Sequence, residues 1–130
     1  MPNFATVLLP DAPDVIAPDG SEVRLLAALP AGSSAEFLLH PGQVSVAVRH
    51  RTVDELWYVV AGSGRLWRRD AAAATITPLT AGTSASIPVG TAFQFRNDGD
   101  VPLRILGVTM PPWPGDNEAE PVTGEWQPSR

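Results

Sequence analysis

Apolar and polar positions alternate along most of this chain in short runs, at 22–29, 35–39, 43–48, 55–60, 64–68, 75–78, 84–87, 92–96 and 103–109. A two-residue period puts successive side chains on opposite faces of an extended backbone, so each run predicts a half-buried β-strand. Turn formers separate the runs at intervals of roughly eight to twelve residues, as at Pro18-Asp-Gly20, Pro41-Gly42, Gly62-Ser-Gly64, Pro88-Val-Gly90 and Asn97-Asp-Gly99. No stretch is long enough, or periodic enough at 3.6 residues, to predict a helix; the alanines of 71–74 are too few to nucleate one. Fourteen prolines fall mostly at the boundaries of the runs, where they interrupt helices and central strands alike. The pattern predicts an all-β sandwich or barrel.

The final stretch, 111–130, is different in kind. Trp113 and Trp126 stand there among proline, glycine and acidic residues. Irregular structure is expected, with the two tryptophans anchoring it on the barrel or on a partner subunit, because disordered segments are poor in aromatics.

Length and charge narrow the class of partner. A chain of 130 residues is large enough for one self-sufficient core, and a single domain is expected over 1–130, with its barrel at about 22–110. The net charge of -5 argues against nucleic acid or an anionic membrane and in favour of a small molecule or another protein. No apolar run nears the ~18 residues of a membrane span, and the first residues lack the basic start and apolar stretch of a signal peptide, so a cytoplasmic protein is predicted. The absence of cysteine excludes disulfides, thiolate nucleophiles and cysteine-held metal. The absence of lysine excludes Schiff-base chemistry on a lysine amine.

Two spaced motifs supply the candidate chemistry. The first runs through Gly42, His50, Glu55 and Gly62, and the second through Gly82, Pro88, Gly90 and Asn97. In both the spacing resembles that of the cupin superfamily, over roughly residues 22–110. The run from His50 to Arg69 and the later segments Ile87–Arg96 and Val108–Gly115 look like a small bacterial single-domain cupin group. The resemblance implies a cupin double-stranded β-helix, a jelly-roll-like barrel with a central pocket, often built as a homodimer. Of the four metal ligands of such motifs only His50 and Glu55 are kept; Val48 and Phe93 stand at the other two positions.

If His50 and Glu55 point inward as the corresponding cupin residues do, alternation places Val46, Val48, Trp57 and Val59 on the same interior face, with Phe93 and Phe95 lining it from another strand. Gln94 and Tyr58 then point the other way. His40 precedes a Pro-Gly turn and is expected to face solvent. His50 ends one strand and Glu55 begins the next, so the pair can meet across the turn between them. Burial raises a carboxyl pKa and lowers that of a histidine, leaving a group able to transfer protons near neutrality. Arg51, beside His50, and Arg96, near the end of the second motif, are candidates to grip a substrate carboxylate or phosphate.

The predicted function is that of a small-molecule enzyme acting on a hydrophobic or aromatic substrate by proton transfer, in an isomerisation, cyclisation or elimination. His50 and Glu55 are the predicted catalytic residues, and Val48, Arg51, Trp57, Phe93, Phe95 and Arg96 the predicted substrate contacts. No cofactor is assigned. One alternative is a non-catalytic module that holds a small ligand; another is a metal-dependent enzyme with a reduced ligand set, in which His50 and Glu55 weakly bind a divalent transition metal completed by water or substrate.

Overall fold

The computed structural model describes residues 3–129. Its strands, in chain order, are β1 (Val15–Ile16), β2 (Glu22–Leu29), β3 (Gly32–Leu39), β4 (Val48–His50), β5 (Asp54–Ala61), β6 (Ser63–Arg69), β7 (Ala74–Thr80), β8 (Ser84–Ile87), β9 (Ala92–Asn97), β10 (Leu103–Met110) and β11 (Ala119–Pro121), with a 3-10 turn at Asp116–Glu118 before the last. They form two antiparallel sheets, ordered β1-β2-β3-β10-β5-β8 and β11-β4-β9-β6-β7. The inward residues of both sheets meet in one core, in which Leu39, Trp57, Val59, Leu103 and Ile105 from the larger sheet pack against Leu66, Leu79, Phe93 and Phe95 from the smaller. No helix among the described residues is long and apolar enough to cross a membrane.

Alternation sets the faces as expected. Along β5, Glu55, Trp57 and Val59 are buried while Leu56, Tyr58 and Val60 are exposed. The run at 43–48 is the exception, because only Val48 onward forms a strand and Val44 makes a lone bridge to Arg96. Its backbone groups find partners in three different places instead of one neighbour. The Ser45 N–H donates to Phe95 O, the Val46 N–H donates to Asp19 O in the turn before β2, and Ala47 O accepts from Val122 N–H near the C-terminus. Strands β1 and β11 are too short for alternation to reveal.

Glycine is required at two of the motif turns. Gly62, between β5 and β6, has φ 89°, and a Cβ there would fall 2.6 Å from Pro102 O. Gly90 turns at φ 81° after Pro88 and donates its N–H to the His50 carbonyl, tying the second motif to the end of β4. Both positions need the left-handed backbone that other residues resist.

The C-terminal stretch is strapped to the barrel along its length. After the cis Met110–Pro111 peptide, the Trp113 N–H donates to Ser33 Oγ; β11 then pairs with β4, and the Ser129 N–H donates to Val44 O. Trp126 lies on the outer side of the smaller sheet, against Ala47, Trp67 and Ala92, with the guanidinium groups of Arg65 and Arg96 5.5 and 5.4 Å from its ring centre. Its backbone is clamped by Gln94, which accepts from Trp126 N–H and donates to Trp126 O and Ser45 O. Gln94 does point away from the interior, as alternation requires, yet the strap leaves it fully buried.

Candidate functional site

Between the two sheets, at the end where β4 and β5 meet, lies a cavity of about 430 Å³. Its floor is made by Val48 and His50 of β4, Glu55 and Trp57 of β5, and Phe93 of β9. Strand β4 ends at His50 and β5 begins at Asp54, so the tight turn between them sets His50 and Glu55 side by side, facing inward from the two sheets. Phe37, Gly107 and Thr109 form one wall and Trp113 of the strap closes over His50. The His50 ring is held edge-on between Phe93 and Trp113, 5.1 Å from each ring centre.

His50 and Glu55 are both almost fully buried. Glu55 Oε2 accepts a hydrogen bond from Trp57 Nε1, and Glu55 Oε1 lies 3.4 Å from His50 Nδ1. That approach is not aligned as a hydrogen bond, and Nδ1 is a buried polar atom with no partner. Burial pushes the Glu55 carboxyl up to about 8; the Trp57 N–H pulls the other way, and the negative charge of Asp19 adds to the rise. Burial pushes the His50 imidazole down to about 4, against an upward pull from Glu118. At neutral pH the two side chains are therefore a carboxylic acid and a neutral imidazole, not an ion pair, although their separation would suit one.

Several predicted contacts lie elsewhere. Arg51 is exposed and serves the strap, donating from Nε to Asn117 O and standing 3.7 Å from Glu120 Oε2. Strand alternation explains this, since the residue after inward-facing His50 points outward. Arg96 is displaced for the same reason, following inward-facing Phe95; it pairs with Asp98 at 2.7 Å beneath Trp126. Phe95 does face inward, but it sits in the core with its ring 4.9 Å from that of Trp57, backing the cavity without lining it. His40 is half exposed and bonded to Glu22 in a separate groove, away from the cavity.

Sequence reasoning missed four contributors: Phe37, Gly107, Trp113 and Glu118. Glu118 is buried under the turn after His50, where its carboxylate accepts from Thr52 N–H, Thr52 Oγ1–H and Val53 N–H. Burial would raise its pKa, but these hydrogen bonds outweigh that and hold it below the usual carboxylate range. The only signal for this group was the tryptophan-bearing tail itself.

Gly107 makes room at the floor. A Cβ there would lie 2.2 Å from Phe37 Cε2 and 3.0 Å from Glu55 Oε2. Gly107→Ala is expected to push the Phe37 ring into the cavity and to cost about 1–3 kcal/mol of stability. Denaturant titration measures the loss, and an unchanged midpoint would mean that the Phe37 ring swings clear at no cost.

Comparison with known proteins agrees with this architecture. Residues 35–109 match the Cupin domain family, more than half of the chain, and the protein belongs to that family. Among solved structures, a conserved Klebsiella pneumoniae protein with a double-stranded β-helix domain superposes with a TM-score of 0.65 at 19% identity, covering 80% of this chain and 85% of the other. A Bacillus subtilis oxalate decarboxylase mutant gives 0.67 at 20% identity, covering 79% of this chain and 29% of the decarboxylase. CapF, in complex with an inhibitor, gives 0.67 at 19% identity, covering 80% of this chain and 32% of CapF. This chain thus spans under a third of the length of those two proteins, and at such identities the likeness defines the fold alone. No curated protein matches the sequence.

Another of the matched oxalate decarboxylase structures concerns Mn(II) centres, and the fold makes a metal here a natural question. The donor set does not fit one. Among the described residues no group of three or more histidine, cysteine, aspartate or glutamate side chains is arranged to hold an ion. Val48 and Phe93 present hydrocarbon to the cavity, and one oxygen of Glu55 is engaged by Trp57. A site of this kind usually needs three protein ligands.

Proposed function

We propose that the cavity binds a hydrophobic or aromatic small molecule and moves a proton on it through Glu55 and His50. The observation that carries this reading is a buried carboxyl and a buried, partnerless imidazole nitrogen 3.4 Å apart on an otherwise apolar floor, where burial favours the uncharged form of each. The two environments push the two pKa values apart, which supports Glu55 as the acid and His50 as the base. With the Trp57 N–H bonded to Oε2, the carboxyl proton belongs on Oε1, the oxygen that faces His50.

In one turnover, His50 Nδ1 takes a proton from a substrate C–H bond while Glu55 Oε1 gives its proton to an oxygen or nitrogen of the same substrate. A C–H and an O–H bond break, and an N–H bond on His50 and an O–H or N–H bond on the substrate form. The imidazolium and carboxylate left behind are neighbours. Passage of the proton from Nδ1 to Oε1, with exchange against solvent between turnovers, restores the starting state, which suits an isomerisation.

The test is turnover of a panel of aromatic and alicyclic ketones, alcohols and amines, followed by mass spectrometry and by deuterium uptake in heavy water. Glu55→Gln is expected to lower any rate found by about 10²–10⁴-fold in a protein that still folds. Full activity in that variant would remove the role from Glu55. A ligand recovered unchanged, without deuterium, after prolonged incubation would favour binding alone.

A further inference from the structure

The ionisable side chains that line the cavity are acids, His50 apart. Glu55 lies at its floor, and Asp19 and Asp116 stand at its wall and rim. No arginine lines it among the described residues, and the chain has no lysine. Four aromatic rings, those of Phe37, Trp57, Phe93 and Trp113, surround the space above Glu55. The arginines that sequence alone suggested for gripping an anion are committed elsewhere, Arg51 to the strap and Arg96 to Asp98. An anion entering this cavity would lose its hydration and meet no positive partner. A cation would meet aromatic rings and carboxyl groups, the kinds of group that recognise ammonium ions.

We propose that the ligand is an apolar or aromatic amine, seated with its basic nitrogen against Glu55 and its hydrocarbon among the four rings, and that carboxylates are excluded. This rests on the reading of the cavity as a ligand site and names the class of molecule that fills it. On binding, the Glu55 O–H bond breaks and an N–H bond forms on a free amine. An amine that arrives already protonated instead displaces the Glu55 proton to solvent. Either route ends with an ammonium–carboxylate pair beneath the rings, with His50 Nδ1 alongside as a hydrogen-bond acceptor.

Every element around Glu55 bears on this exchange. His50 faces it from β4, and Asp19 from the turn before β2 adds negative charge. Asp116 and Glu118 come from the 3-10 turn, the latter acting on His50. The neighbours contributed by β3, β9 and β10, namely Phe37, Phe93, Gly107 and Thr109, do not titrate. The net charge facing the nitrogen is negative throughout the neutral range.

Calorimetric titration with three probes of matched shape, 2-phenylethylamine, 2-phenylethanol and phenylacetate, tests the idea at pH 6, 7 and 8. The amine is expected to bind at least about tenfold more tightly than the alcohol, and phenylacetate not measurably. Because the protonated amine displaces one proton, its affinity should climb with pH by up to about tenfold per unit until Glu55 titrates, while that of the alcohol stays flat. Glu55→Gln should abolish the climb and bring amine and alcohol level. Should that variant not fold, the pH series on the natural sequence decides by itself. Alcohol or phenylacetate binding as tightly as the amine would overturn the amine assignment and leave the cavity as a ligand site. Failure of all three probes to bind would overturn that broader reading, and this one with it.

Discussion

Glu118→Ala is expected to destabilise the protein by about 3–5 kcal/mol, the cost of leaving buried donors facing a lost charge. The carboxylate accepts two backbone N–H groups, from Thr52 and Val53, and the Thr52 hydroxyl. Val53 is fully buried, so its N–H has no recourse to water once the acceptor is gone. The loss extends beyond the turn. Glu118 is where the strap meets the chain segment joining His50 to Glu55, and the Arg51 N–H donates to the Glu118 carbonyl at the same place. Chemical denaturation should show the loss of stability, and limited proteolysis should show new cleavage between residues 111 and 125 under native conditions. Glu118→Gln, which keeps one carbonyl acceptor, is expected to lose roughly half as much. The sign of the pH dependence follows from the lowered pKa: the contribution of Glu118 is complete above the ordinary value of 4.5 and disappears as pH falls through the lower folded value. An Ala variant as stable as the natural protein at pH 7, with no new cleavage, would show that the strap does not depend on this carboxylate.

Glu55→Gln is expected to act in the opposite direction, stabilising the protein more as pH rises. The folded carboxyl titrates near 8, against 4.5 for the ordinary group. Between those values the unfolded chain ionises while the folded one holds its proton, so the natural protein loses stability with rising pH and the loss is complete above about 8. At about 1.4 kcal/mol per unit the advantage of the variant should grow by up to about 5 kcal/mol across that window. Glutamine can accept the Trp57 N–H through its carbonyl and offer its amide N–H to His50 Nδ1, supplying the partner that atom lacks. The acid limb should be shared by both proteins. His50, depressed to about 4, costs stability as pH falls from 6.5 toward that value, because only the unfolded chain takes up the proton. Guanidinium titrations of both proteins from pH 5 to pH 9 measure the divergence. Parallel curves would mean that Glu55 is ionised in the folded state at neutrality.

How much of this site was legible in the sequence depends on how each residue reaches it. Residues on strands were placed by alternation once the cupin resemblance had fixed His50 and Glu55 as inward: Val48, His50, Glu55, Trp57 and Phe93 all reach the cavity, and Tyr58 and Gln94 face away. The same rule, followed one residue further, would have removed Arg51 and Arg96 from the binding list, since each follows an inward-facing neighbour. Alternation gives a direction without a depth, so it did not distinguish Phe95 in the core from Phe93 at the cavity. The run at 43–47 read as a strand because its side chains alternate, but its N–H and C=O groups are divided among β9, the turn at Asp19 and the strap, partners that no local pattern encodes. Trp113 and Glu118 arrive from a segment without periodicity, across a sequence separation of more than sixty residues. Only the unusual density of tryptophan marked that segment as structured.

The strap also separates two design problems that most enclosed sites combine. The floor, with Glu55, His50 and its glycine clearance, belongs to the barrel strands, whose registers bind them to one another. The roof is Trp113, carried on a stretch of chain that can be exchanged as a cassette. Its attachments are the β11–β4 pairing and discrete clasps at Ser33, Glu118, Ala47, Gln94 and Val44. A library randomised between residues 112 and 116 with those clasps kept would change the size, hydrophobicity and charge of the entrance while His50 and Glu55 stay fixed on the strands beneath it.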